Sequence, residues 1–268
     1  MRKSATGFFE YPLVLIVILT MSMRHTDAQS FEFNYNRDFK KILSETNDPA
    51  NNLYYEKLVQ RFKSNDTTFT NYQILALLIG FTDNVHFKPY DYLSIERRIY
   101  SLNGDGKYTD AILLADSLLR YVPVSQQALI EKSYAHYKLN QMDSADYCMW
   151  KFREIMRTMS MTGDGLTPET AIFSLGPADG QNYIRKGLVS NIGAMGSGRD
   201  KQGNFLDILT ASIVDEKTGE TRNQTMYFQI QHAVEKMFEP DELDQAIRKQ
   251  KKGKGKLKVR KDGRVILK

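Results

Sequence analysis

Apolar positions from Asn51 onward recur at helical spacing. In "NNLYYEKLVQRFKS", Leu53, Tyr54, Leu58 and Phe62 fall on one face of a helix. "NDTTFT" interrupts the pattern. Thr70, followed three residues later by Gln73, has the form of a capping box that opens "NYQILALLIGF". That second helix is apolar nearly all round, which predicts burial rather than a solvated face.

Two later segments repeat one another. "NGDGKYTDAILLADSLLRYVP" carries Tyr108, Ala111, Leu118 and a closing Pro123. "ALIEKSYAHYKLNQMDSADYCMWKF" carries Ala128, Tyr134, Leu139 and Ala145. Ala111 and Ala145 are one tetratricopeptide period apart, and the proline falls where such a repeat ends its second helix. Small residues let antiparallel helices approach closely, and a proline stops the second helix before the next unit. About one and a half units are visible, and an unrelated helical hairpin with the same spacing is the alternative.

After "KFREIMRTMSM" the period changes. "TAIFSL" (Thr170 to Leu175) is β-branched and aromatic, hence strand-like. "ADGQNYIRKGL" predicts a helix, "SNIGAMGSGRDKQG" a loop, and "NFLDILTASIV" and "QTMYFQIQ" two strands of a hairpin. "HAVEKMFEP" predicts a short helix stopped by Pro240. The predicted fold class is α+β: tetratricopeptide-like helical hairpins, then a small β-α-β-β-α sheet region. The expected boundaries are a signal peptide over 1–28, the helical region over 29–160, the α+β region over 161–240 and a basic tail over 241–268.

Composition sharpens the two ends. The chain has 268 residues, a hydrophobic fraction of 41% and a charged fraction of 26%, enough for a sizeable core and unlike a disordered chain. The formal charge of +5 is misleading as an average, because residues 241–268 alone hold 11 Lys/Arg against 4 Asp/Glu. The body is therefore mildly acidic, and the basic character belongs to the tail. In that tail Leu257 and Val259 mirror Val265 and Leu267 around Asp262-Gly263, the pattern of a short hairpin. It reads as a solvated tail, or as one that adheres to an anionic polymer or surface. At the other end Arg2 and Lys3 precede an apolar run, Leu13 to Met23, and Thr26-Asp27-Ala28 offers small residues for cleavage. This is a secretory layout, and the run is short for a membrane span. The expected location is periplasmic or secreted. No cysteine follows the run to carry a lipid anchor, and with Cys148 alone an exported chain has no internal disulfide.

Candidate chemistry is sparse. In "LNGDGKYTD" the calcium positions 1 and 12 fall on Ser101 and Ile112, so two oxygen ligands are missing and Gly104-Asp105-Gly106 reads as a turn. "GAMGSG" lacks the Gly-Lys-Ser/Thr of a phosphate loop. In "SMTGDGLTPETAIFSL" Asp164 and Glu169 are too few carboxylates for calcium. Thr167 and Pro168 there suit a capped short turn. His86, His136 and His232 stand alone, His25 falls in the leader, and Cys148 sits in a helical, apolar context as a structural thiol. No paired acidic motif and no nucleophile elbow is present, so no catalytic, cofactor-binding or metal-binding residue and no cofactor is nominated.

"FEFNY", "LYYEKLVQRFKSNDTTFT", "KPY", "YTDAILLADSLLRYVPVSQQAL", "TGDGLTPETAIFSL" and "DILTASIVDEKTGETRNQTMYFQI", in that order, resemble an exported family of Bacteroidetes-type bacteria, domain of unknown function 4919. The resemblance spans roughly Phe31 to Phe238. It brings no activity, cofactor or site residue. "LLIGF" departs from a more tyrosine-rich segment, Gly180-Gln181-Asn182 stands where an acidic-Tyr pair is expected, and the tail looks like an addition. The function expected is a protein- or peptide-binding or scaffold role on the helical half. The alternatives are a hydrolase or carbohydrate-processing enzyme with a cleft between the halves, and adhesion through the tail.

Overall fold

The structure is a computed structural model that describes residues 32–214, 219 and 221–237, and the strand backbones at 257–259 and 265–267. The leader (1–28), Pro240 and most of the basic tail lie outside the described residues. Among the described residues, no helix is long and apolar enough to cross a membrane.

Seven helices come first: α1 (Tyr35–Asn47), α2 (Tyr55–Lys63), α3 (Asn71–Phe81), α4 (Leu93–Gly104), α5 (Tyr108–Tyr121), α6 (Gln126–Lys138) and α7 (Met142–Thr162). The capping box read from Thr70 and Gln73 is present, with both reciprocal bonds at 3.2 Å. From Ile74 to Phe81 every residue of α3 is buried. Helices α1, α2 and α7 pack around it. An all-apolar helix needs such a complete jacket, since any face left in water would forfeit the burial that stabilises it.

Helix α4 packs on α5 and α6, α5 on α6, and α6 on α7. Ala111, Ala128 and Ala145, the small residues of the repeated pattern, are all buried. Helices α1 and α4 were not predicted by periodicity. In α1 only Asp38, Phe39, Ile42 and Thr46 are buried, a narrow stripe that includes two polar residues and so gives a weak signal.

The second half follows as β1 (Ile172–Phe173), α8 (Pro177–Asn182, continued by a π-turn, Tyr183–Gly187), β2 (Asn191–Arg199), β3 (Phe205–Val214), β4 (Thr221–Gln229) and α9 (Gln231–Met237). The sheet order is β1-β4-β3-β2, with β1 parallel to β4 and the other pairs antiparallel. The predicted β3–β4 hairpin is present. Two expectations change. The strand read over 170–175 shortens to two residues, preceded by a 3-10 turn (Pro168–Thr170) capped by Thr167. The glycine-rich segment expected as a loop is the nine-residue strand β2. Glycine disfavours strands, but pairing along β3 overrides that local preference. In the tail, β5 (Leu257–Val259) and β6 (Val265–Leu267) pair as the mirrored apolar positions predict, Leu257 opposite Leu267 and Val259 opposite Val265.

The join between the halves is built at the end of α7. Buried Thr162 accepts a hydrogen bond from the Phe173 N–H of β1 at 2.9 Å and donates to the Met159 carbonyl at 2.6 Å. Gly163 caps α7, and its φ of 170° is ordinary extended backbone. A Cβ there would lie 2.2 Å from the Thr170 carbonyl oxygen, so the constraint on Gly163 is steric. Gly163→Ala is expected to cost about 1–3 kcal/mol, because backbone must move to make room. Urea denaturation measures it, and an unchanged midpoint would contradict the close approach.

Candidate functional site: a carboxyl pair at the seam

Helix α8 lies between the helical half and the sheet, touching α6 on one side and β3 on the other. Where α8 begins, it borders a small cleft lined by Phe81, Phe87, Tyr92, Leu93, Val124 and Leu175, together with Glu96, Ser125 and Asp179. Its free volume is about 50 Å³, room for a few water molecules or one small polar group.

Each polar group is positioned by a local rule. Ser125 is the N-cap of α6, and its hydroxyl accepts from the Ala128 N–H at 3.1 Å. The same hydroxyl donates to Glu96 Oε1 at 2.6 Å, so the cap that starts α6 also fixes the carboxylate of α4. Asp179 sits in the first turn of α8, behind Gly176 and the helix-starting Pro177. Burial raises the Asp179 carboxyl well above the usual carboxylate range, and the charge of Glu96 raises it further. Burial raises Glu96 too, partly opposed by the Ser125 hydrogen bond. Burial and the neighbouring Glu96 charge both favour the neutral, protonated form of Asp179. Among the described residues, no ion pair reaches either carboxyl.

Beside this half-buried pair, two buried acids flank α8. On α6, Glu131 accepts from Asn103 Nδ2 at 2.8 Å and Gln127 Nε2 at 2.8 Å, and Lys186 of the π-turn lies 3.9 Å away. That acid is satisfied by its neighbours and serves to fasten the π-turn to α6. On β3, Asp207 is buried with one oxygen, Oδ2, unpartnered, and burial pushes its carboxyl up to about 6. Tyr90 is near enough for the Asp207 charge to raise its hydroxyl further.

The residues weighed in the sequence have other employment. Asp164 Oδ1 accepts from the Leu166 N–H at 2.9 Å and the Thr170 hydroxyl at 2.5 Å, so "TGDGLTPET" is a self-bonded turn between α7 and β1. His86 packs on Tyr121, and His136 Nδ1 lies 2.6 Å from Gln141 Oε1. His232 is buried against Phe39, Phe87 and Phe173, and burial pushes it down to about 3, so it is neutral. Burial also pushes the Cys148 thiol up, the opposite of an activated nucleophile. The Glu96–Asp179 pair was invisible in the sequence, because each acid alone looks like an ordinary first-turn helix residue. Among the described residues, no cluster of three metal-ligating side chains occurs.

A family model described as a domain of unknown function, DUF4919, matches residues 40–238. No curated protein and no solved structure matches the chain.

The pair also fixes a pH dependence. An acid whose folded pKa is raised contributes stability below its unfolded pKa, and that stability is lost as pH rises through the folded value. His232, whose pKa is lowered, runs the other way and loses stability as pH falls below its unfolded value. A difference between variants cancels the histidine. Asp179→Asn is expected to raise stability at pH 7.5, with the gain shrinking towards pH 4. Thermal melts across that range check it, and a gain that grows on acidification would contradict the assignment.

Proposed function

We propose that this chain, which belongs to the DUF4919 family, is a binding protein whose seam cleft receives a cationic side chain of a peptide or protein partner. One observation carries the reading: two desolvated carboxyls face the same small cleft, and among the described residues no cation is paired with them. Burying such a pair costs stability, and groups that cost stability mark functional positions. A guanidinium or ammonium entering the cleft would relieve the repulsion, favour the ionised form of Asp179 and lie against the aromatic wall of Phe81, Phe87 and Tyr92.

The finer features join this reading. The pairs α4–α5 and α6–α7 act as two tetratricopeptide-like units, supported by their sequential packing and by the buried Ala111 and Ala145. The inner flank of α6 is already occupied by α8, so the partner is received at the edge of the helix pairs, not along a free groove. The basic-then-apolar start of the chain supports an exported setting. Acid–base catalysis is the second reading, favoured by the raised carboxyls. The cleft disfavours it, since about 50 Å³ admits a functional group but not the ring of a sugar or a peptide unit.

The test uses two tripeptides, Gly-Arg-Gly and Gly-citrulline-Gly, which differ in one charge. Amide NMR signals of Ser125 and Gly176 are expected to shift with the arginine peptide, with at least ~10-fold weaker binding of citrulline. The shifts are expected to vanish in Glu96→Gln/Asp179→Asn. Equal binding of both peptides, or none at the cleft, would overturn the proposal.

A further inference from the structure

Strand β2 (Asn191–Arg199) is the edge of the four-stranded sheet. One side pairs with β3, and among the described residues no strand pairs with the other. A long edge with unpaired N–H and C=O groups is a template for another strand, and proteins usually guard it with lysine, proline, an inward charge or a bulge. Here the central residues Gly193, Ala194, Met195, Gly196 and Ser197 are uncharged, small apart from Met195, and exposed. The one charge on the strand, Arg199, is at its end and packs over the Phe205 ring 3.7 Å away. A register shift between Ile192 and Met195 bends the edge but leaves the run from Met195 to Arg199 regularly paired.

The side-chain rows show what fits there. Met226 of β4 lies opposite Leu209 of β3, and Leu209 lies opposite Met195 of β2. Directly opposed residues share a face, so these three form one apolar row across the sheet. Met226 and Leu209 are buried, but the row ends at Met195, which is 63% exposed.

We propose that β2 pairs antiparallel with β2 of a second copy of this chain, about a two-fold axis through Met195. The two methionines then meet and join the apolar rows of both sheets into one. With the bulged pair Gly193-Ala194 set against Gly196, the same register puts Ser197 opposite Ile192 and Gly198 opposite Asn191, so no like charges oppose one another. The contact is isologous, with the same patch on both copies, and it closes as a dimer instead of propagating. A partner peptide would instead need side-chain pockets along the edge for specificity, and this glycine-rich strand supplies little wall for them. A single strand pair buries little area, so the dimer is weak and forms towards the upper end of a concentration series.

Sedimentation equilibrium of the full chain over a concentration series tests this. The wild type is expected to dimerise, Met195→Leu to dimerise equally, and Met195→Lys to raise the dissociation constant at least ~10-fold by opposing two ammonium groups. Hydrogen exchange at the amides of residues 191–199 is expected to slow with concentration in the wild type and not in Met195→Lys. Unchanged thermal melts confirm that both variants fold. A wild type that stays monomeric, or a dimer indifferent to Met195→Lys, would overturn the proposal. The tripeptide measurement is independent of both outcomes.

Discussion

The seam depends on how closely α8 can lie on the sheet, and one contact sets that distance. A Cβ at Gly180 would lie 3.0 Å from the Phe228 ring, so α8 presents bare backbone where the ring of β4 reaches it. Phe228 is fully buried and also meets Tyr183 edge-on, with ring centroids 5.8 Å apart. Packed this way, the ring anchors the first and last turns of the α8 segment together. Ile184, with none of its surface exposed, fastens the following π-turn. Only a helix held at that depth puts Asp179 into the cleft beside Glu96. The residue at position 180 therefore governs electrostatics it does not itself touch. A larger side chain there would lift α8, hydrate the carboxyls and erase the repulsion that marks the site.

The hydrophobic and electrostatic parts of the structure have opposite signs. Helix α3 and its jacket, the Phe39–His232–Phe173 stack and the Phe228 contact bury apolar surface, with one ring nitrogen of the stack, His232 Nε2, left unpartnered. Around α8 the balance changes: Glu96, Asp179 and Asp207 are carboxyls taken from water without a matching cation, and Asp207 leaves one oxygen unpartnered. Glu131 is the instructive contrast, since it is buried in the same neighbourhood but bonded by Asn103, Gln127 and Lys186. A fold able to satisfy one buried acid so fully leaves the other pair facing open space, which is where a ligand's charge can enter.

Local rules were legible in the sequence where local physics decides. Thr70 and Gln73 announced the start of α3, Thr167 and Pro168 announced the capped turn, and the tail's mirrored apolar positions gave the β5–β6 register. Where tertiary pairing decides, the sequence was silent. Strand β2 is assembled from residues with poor strand preference and exists because β3 lies beside it. Helix α1 buries too narrow a stripe to announce itself. The carboxyl pair joins α4 to α8 across the fold, and no spacing along the chain encodes that meeting. "TGDGLTPET", the most motif-like run, is a turn whose aspartate is bonded within the turn itself.

Glu96 and Asp179 line one small cleft, and the charge of Glu96 adds to burial in raising Asp179. Carbon-13 NMR titration of the side-chain carboxyls measures this directly. Asp179 is expected to titrate well above the ordinary carboxylate range. Glu96→Gln is expected to bring Asp179 part of the way back down, and Ser125→Ala to drive Glu96 further up. Two independent titrations at ordinary carboxylate values, each indifferent to replacement of the other residue, would contradict it.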